Sequence, residues 1–292
     1  MARPGKGLLS EANIRRGAYG ICLRGLEGAA ELLVEVPQDA PEYRVEAEIG
    51  EAPTPDERVD DGHAELRLRS GGQIVVDRAA GTILYRVPHP VREDELVHPY
   101  LAPAAAVIGR WHGHESVHAG AFAVGGQALG VVGTRESGKS STLAWLARAG
   151  VDVLCDDMLI VDGETPLAGP RSIDLREDAA RRFDAGEPIG MTGARERWRL
   201  QLGATTNNAT LRGWVVLAWG DEVAARPLKA SERIPRIASE RGLRLPPVRE
   251  DALLELATLP AWELSRPRDW ASLPQAADLL LELASATPTA AA

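Results

Sequence analysis

Gly133-Thr-Arg-Glu-Ser-Gly-Lys-Ser140 decides how this chain is read. The stretch satisfies G-x-x-x-x-G-K-[ST] outright, a pattern whose parts each answer a physical demand. Glycines let the backbone curl so that successive N–H groups face one phosphate, and the N-terminus of the following helix adds partial positive charge. Lys139 then reaches the β- and γ-phosphate oxygens, and the Ser140 hydroxyl joins a Mg²⁺ shell. The flanks agree with the pattern. Gly120-Ala-Phe-Ala-Val124, a Gly125-Gly126 turn and Gln127-Ala-Leu-Gly-Val-Val132 read as a hairpin whose second strand runs into the loop. Ser140 to Ala149 reads as a helix closed by Gly150. The candidate phosphate-binding residues are therefore Gly133, Thr134, Arg135, Glu136, Ser137, Gly138, Lys139, Ser140 and Ser141.

Downstream, Val151-Asp-Val-Leu-Cys155 is a short strand that ends on Asp156-Asp157, seventeen residues after Lys139. In a parallel sheet such a strand end lies beside the phosphate loop, where carboxylates hold Mg²⁺ or accept a proton. Neighbouring residues of an extended strand point to opposite faces, so both aspartates serve one site only if the chain bends there. Met158 to Val161 is expected to continue extended. His118 precedes the hairpin and is placed to fold back near the carboxylates and modulate their protonation. His112-Gly-His114-Glu115 has too few ligands for a metal site by itself and reads as a solvated loop.

The first third differs. Glu65-Leu-Arg-Leu-Arg69, Gln73-Ile-Val-Val-Asp77 and Thr82-Ile-Leu-Tyr-Arg-Val87 alternate between Gly-rich turns, the mark of an antiparallel meander. The acidic, Pro-containing run from Ala52 to Gly62 is a surface loop. Nothing in this part looks catalytic. The expected organisation is a β-rich region over 1–95, a phosphate-loop domain over 96–284 and a frayed tail over 285–292. Within the second part, Leu96 to Trp111 reads as a helix interrupted by Pro99 and Pro103. Trp198 to Leu202 and Trp214 to Trp219 read as strands. Ser231 to Glu240, Val248 to Leu256 and Gln275 to Leu283 read as helices.

Composition bounds the rest. The 292 residues, 45% apolar, suffice for a sizeable core, and a disordered or disulfide-dependent chain is excluded. Thirty-three basic against 42 acidic residues give a net charge of −9, which speaks against a nucleic-acid or anionic-lipid partner. Only Lys6, Lys139 and Lys229 are lysines, and one of the three completes the loop. Cys22 and Cys155 match no metal or redox spacing and read as buried thiols of a reducing cytoplasm. No apolar run has the length of a membrane span, and the N-terminal residues lack the apolar segment of a signal peptide. A cytoplasmic protein without a membrane partner is the expectation.

Taken together, these residues resemble the HPr kinase/phosphorylase-like family, P-loop serine kinases that share a nucleotide core with phosphoenolpyruvate carboxykinase. The resemblance is carried by His118-Ala-Gly120, Gly125-Gly126, Gly133 to Ser140, Leu143 to Gly150 and Val153-Leu-Cys-Asp156-Asp157, about 45 residues, with a looser likeness to about residue 220. It implies an α/β fold with α+β elements, ATP or GTP as phosphate donor, and Mg²⁺. It further implies Asp156 as general base toward a serine hydroxyl, Asp157 as a Mg²⁺ or positioning group with Ser140, and His118 in contact with the base. Lys139, Asp156, Asp157 and His118 are thus the candidate catalytic residues. The chain departs from the family at the third and fourth loop positions, where Arg135 and Glu136 replace Ser and Gly. The glycine-rich signature after the aspartates is not recognisable in Leu167 to Arg176. HPr as substrate and phosphorylase activity are not implied. The likeness is to divergent members, some of which phosphorylate a precursor peptide.

The leading expectation is an ATP- and Mg²⁺-dependent kinase acting on a Ser or Thr hydroxyl of a peptide or protein. Two alternatives stay open: a small-molecule hydroxyl kinase on the same core, and a nucleotide-binding regulatory or scaffold protein with little transferase activity. Arg171, Arg195, Arg197 and Arg212 are the candidates to stabilise a transferring phosphoryl group, and the sequence does not choose among them. A homo-oligomer is compatible with Trp214, Trp219, Trp262 and Trp270 as anchors, though core packing is their more ordinary use.

Overall fold

In the computed structural model, which describes residues 14–51, 57–68, 71–192, 195–205, 208–247 and 249–286, alternation in the first third becomes an eight-stranded sheet. Its strands are β1 (Arg16–Ala18), β2 (Ile21–Arg24), β3 (Val34–Glu35), β4 (Glu42–Ile49), β5 (Arg58–Val59), β6 (His63–Arg67), β7 (Gln73–Asp77) and β8 (Thr82–Val87). The order is β3-β1-β2-β4-β8-β7-β6-β5. The meander expectation holds for β5 to β8 only. β4 is inserted between β2 and β8 and runs parallel to both. Alternation fixes which face is buried and is silent about strand direction, so the parallel pairing was not readable. Of the acidic loop, residues 52–56 lie outside the described residues.

Every second residue of β6 to β8 is buried: Ala64, Leu66, Ile74, Val76, Ile83 and Tyr85. They pack toward the helix that follows. That helix begins at α1 (Glu93–Glu95), passes through a π-type turn over Leu96–Tyr100 and continues as α2 (Leu101–Trp111). The interruption expected at Pro99 falls in the π-type turn, whereas the one expected at Pro103 is absent and α2 runs on from Leu101. Pro103 falls in its first turn, where a missing N–H removes no helical bond. The small residues Ala104, Ala105 and Ala106 are buried and let α2 approach the sheet closely. The Tyr85 hydroxyl donates to the Tyr100 carbonyl at 3.1 Å and ties the two together.

The second half is organised by a six-stranded sheet. After β9 (Glu115–Val117) come the hairpin β10 (Gly120–Val124) and β11 (Gln127–Val132), α3 (Lys139–Arg148), β12 (Asp152–Cys155), β13 (Leu159–Asp162) and β14 (Thr165–Leu167). Then follow β15 (Ser172–Leu175), α4 (Glu177–Phe183), β16 (Glu187–Thr192), β17 (Arg195–Gln201) and β18 (Thr210–Trp219). The chain closes with β19 (Ala224–Pro227), α5 (Ala230–Ser239), α6 (Glu250–Thr258), β20 (Ala261–Arg266) and α7 (Leu273–Ala286). The sheet order is β12-β10-β11-β18-β20-β19, with β11, β18 and β20 parallel. β10 is antiparallel to both β11 and β12, so β12 runs with β11.

Both faces of this sheet are covered. Phe122, Leu129, Val131 and Leu143 share one core with Leu280 of α7. Ala121, Ala123, Ala128, Val132 and Trp214 share the other with the N-terminal sheet and α2. Two-sided burial explains the near-continuous apolar runs of β10 and β11. Trp214 is core, with its indole N–H donating to the Leu256 carbonyl at 2.7 Å, and is not an interface anchor. Met158 to Val161 is not a continuation of β12: the chain bends at Asp156-Asp157, and β13 joins β9 and β14 in a separate sheet. A second three-stranded sheet, β15-β17-β16, lies against α3. The tail expected over 285–292 is helical at residues 285 and 286, and the remainder lies outside the described residues. Among the described residues no helix is long and apolar enough to cross a membrane. Cys22 and Cys155 are both buried thiols.

Candidate phosphate-binding site

The strand directions gather one set of termini. The C-terminal ends of β11, β12, β18 and β20 meet the N-terminal end of β10, the edge where open α/β sheets bind ligands. There β11 passes into the loop 133–138 and then α3. Gly138 adopts φ +90°, and a Cβ on it would lie 2.7 Å from Arg266 Nη2. A Cβ on Gly133 would lie 2.3 Å from Ser137 Oγ. Both positions thus need glycine, one for conformation and close approach and one for space. The loop is tightened by Ser137 N–H donating to the Thr134 carbonyl at 3.0 Å. Thr134, Arg135 and Glu136 are exposed, Ser137 is buried, and Lys139, Ser140 and Ser141 are half-buried at the first turn of α3. The N–H groups of that turn have no helical acceptor, so they are free to serve an anion.

The bend after Cys155 brings both aspartates to this point. Asp157 Oδ1 lies 3.8 Å from Lys139 Nζ and 3.6 Å from His118 Nδ1. The carboxylate beside His118 is therefore that of Asp157, whereas Asp156 was expected. Asp156 is buried and interacts with the Ser140 hydroxyl. Burial lifts its pKa to about 6, opposed by the Lys139 charge and reinforced by Asp157. Lys139 Nζ and Asp156 Oδ1 are both buried without a hydrogen-bond partner. Orphaned groups of opposite charge at the start of a helix fit a phosphate oxygen on one side and a hard cation on the other. The oxygen donors Ser140, Asp156 and Asp157 suit Mg²⁺, which keeps few protein ligands and completes its shell with water and phosphate. Among the described residues no group of three His, Cys, Asp or Glu side chains is arranged to hold a metal by itself. His114 instead faces Asp162, at 3.7 Å.

Arginines of β17 and its neighbours approach the loop. Arg195, Arg197 and Arg199 alternate along β17 and so share a face. Arg199 is structural: it grips Asp174 with two bonds at 2.8 and 2.9 Å and also bonds Asp94 and the His98 carbonyl. Arg197 is half-buried. Its pKa is lowered by that burial, which Asp174 and Asp156 partly offset, and this puts it within electrostatic reach of the candidate base. Arg195, together with Arg176, reaches Glu136 on the loop. Arg171 is consumed by the carbonyls of Val153 and Gly203, and Arg212 pairs with Glu164. Of the four arginines named from sequence, two reach the site.

Sequence reasoning missed three cations and gave Trp219 the role of an interface anchor or core residue. Arg176, Arg266 and Arg268 all approach the loop or Trp219. The Arg266 guanidinium sits 4.5 Å from the Trp219 ring centroid, and the indole N–H donates to the Glu136 carbonyl at 3.2 Å. The period-2 pattern Arg195-Glu-Arg-Trp-Arg199 was the available signal for β17. The partners of Trp219 are distant in the chain, Arg266 on the parallel β20, Arg268 just past it and the Glu136 carbonyl far upstream, and left no local trace.

No protein-family model matches the chain, and no curated protein matches it. Among solved structures, the HPr(Ser) kinase/phosphatase from Coxiella burnetii aligns over 58% of this chain and 90% of its own, with 12% identity and a TM-score of 0.30.

Proposed function

We propose that this protein is an ATP-dependent phosphotransferase that phosphorylates a Ser or Thr hydroxyl of a peptide or protein. One observation carries the reading. A buried carboxyl, Asp156, sits with an unbonded oxygen beside Ser140 and the Lys139 ammonium, itself without a hydrogen-bond partner, at the N-terminus of α3. A nucleotide-binding scaffold needs the loop, the lysine and one carboxylate for the metal; a second carboxyl, buried and with a raised pKa, is the feature a base requires. The sequence resemblance to P-loop serine kinases points the same way.

In this reading the loop amides and Lys139 hold the donor's terminal phosphates, positioning them for in-line attack. Ser140 and Asp157 would hold Mg²⁺, which supplies charge neutralisation to the phosphates when bound. Asp156 accepts the proton of the attacking hydroxyl at a carboxylate oxygen. His118 orients Asp157, and Arg197 faces the developing charge from β17.

The test incubates the protein with ATP, Mg²⁺ and a peptide pool and reads phosphoryl mass shifts. Phosphopeptides that appear with wild type and vanish with Lys139→Ala are the expected result. Transfer to small hydroxyl compounds alone would move the assignment to a small-molecule kinase. ATP binding without any transfer would leave a regulatory or scaffold protein.

A further inference from the structure

Glu136 stands where the fourth position of the loop needs a left-handed backbone, at φ +70°, a conformation that glycine adopts far more readily. Its carboxylate faces three guanidinium groups: Arg176 at 2.9 Å, Arg195 at 3.5 Å and Arg268 at 3.9 Å. They come from three separate places, the β15–α4 junction, β17 and the segment after β20. Its backbone carbonyl is held by the Trp219 indole. Arg176 is the main cause of a carboxyl pKa below the ordinary range, with Arg195 adding to it, so the group is an anion at neutral pH.

Three cations converging on one oxyanion at the mouth of a phosphate loop form an anion pocket. A carboxylate carried by the loop itself is a poor permanent guest for it. The same pocket offers planar donors to phosphate oxygens, which take guanidinium groups in two-point fashion. We infer that Glu136 is a built-in competitor: its carboxylate occupies the arginine pocket that receives the polyphosphate of an incoming nucleotide. This rests on the phosphate-loop reading above and extends it. Nucleotide entry is then an exchange, in which Glu136 swings out to water and Arg176, Arg195 and Arg268 close on phosphate. The Glu136 pairs are solvent-exposed, so the competitor is displaceable and salt-sensitive. The opposite possibility is that Glu136 pre-sets the arginines and is required for binding.

Calorimetric titration with Mg·ATP and with inorganic tripolyphosphate separates the two. Glu136→Gln and Glu136→Ala are expected to bind both probes about tenfold more tightly than wild type at low salt, the effect of removing up to three exposed ion pairs. The gain should shrink at 1 M salt, a probe condition that screens exposed pairs. Arg176→Ala should weaken binding and reduce the gain from Glu136→Ala in the double variant. Unchanged or weaker binding by both Glu136 variants, with wild type binding normally, overturns the competitor role alone. Absence of binding by wild type and variants alike overturns both this inference and the phosphate-loop reading.

Discussion

The two large sheets treat charge in opposite ways. In the N-terminal sheet, charged side chains point outward and pair in water, as Arg24 does with Glu42 and Arg86 with Glu48, while one face buries Ile74, Ile83 and Tyr85. At the C-terminal edge of the six-stranded sheet, Lys139 and Asp156 are drawn inside and left with unmatched atoms. Exposed pairs of the first kind are worth at most about 1 kcal/mol. Buried, incompletely paired groups cost stability, and a fold keeps them where they do chemistry. In the proposed reading, the difference separates a supporting layer from a working edge.

The sharpest way to break this contrast is Asp156→Asn. Phosphoryl transfer should fall by about 10²- to 10⁴-fold, with Mg·ATP affinity within a few-fold of wild type. Single-turnover transfer and a binding titration measure the two; full activity would remove Asp156 from the role of base. Next in size, Tyr85→Ala should destabilise the protein by about 3–5 kcal/mol through a cavity between the N-terminal sheet and α2. Denaturant unfolding reads that loss, while the dissociation constant for Mg·ATP in the folded protein should not move. A large change in affinity would mean that the N-terminal sheet is part of the site.

The smallest effect is in pH. The folded-state pKa of Asp156, about 6, lies above its ordinary value of 3.8, so the native state binds the proton more tightly than the unfolded one. Stability from this group is complete below pH 3.8 and is lost as pH rises through 6. In nucleotide- and metal-free protein, Asp156→Asn lacks this loss. The variant should therefore gain on wild type, on the order of 3 kcal/mol, between those two pH values and hold the gain above them. Denaturant midpoints across pH test it, and a flat difference would show Asp156 to be ordinarily ionised.

Much of the working edge was legible because its signals are local. The β10–β11 hairpin, the loop, α3 and the strand closing on Asp156-Asp157 follow one another within about 40 residues, each announced by glycine placement or apolar periodicity. What failed was long-range. β4 between β2 and β8 reversed the simple meander. β19 and β20 escaped notice because Ala224–Pro227 and Ala261–Arg266 are short and do not alternate. The choice among the arginines stayed open, since all carry the same charge and only position distinguishes them.

The sequence by itself determined the local grammar: a loop with the glycine pattern of a phosphate site, one lysine after it, and two adjacent carboxyls at a strand end. Those features depend on backbone conformation and spacing over a few residues, which the chain writes directly. Only the tertiary structure decided that the chain bends at Asp156, that Asp157 is the neighbour of His118, and that Glu136 meets three arginines from distant segments. Desolvation and pairing depend on which surfaces close over a group, and those surfaces belong to residues far away in the chain.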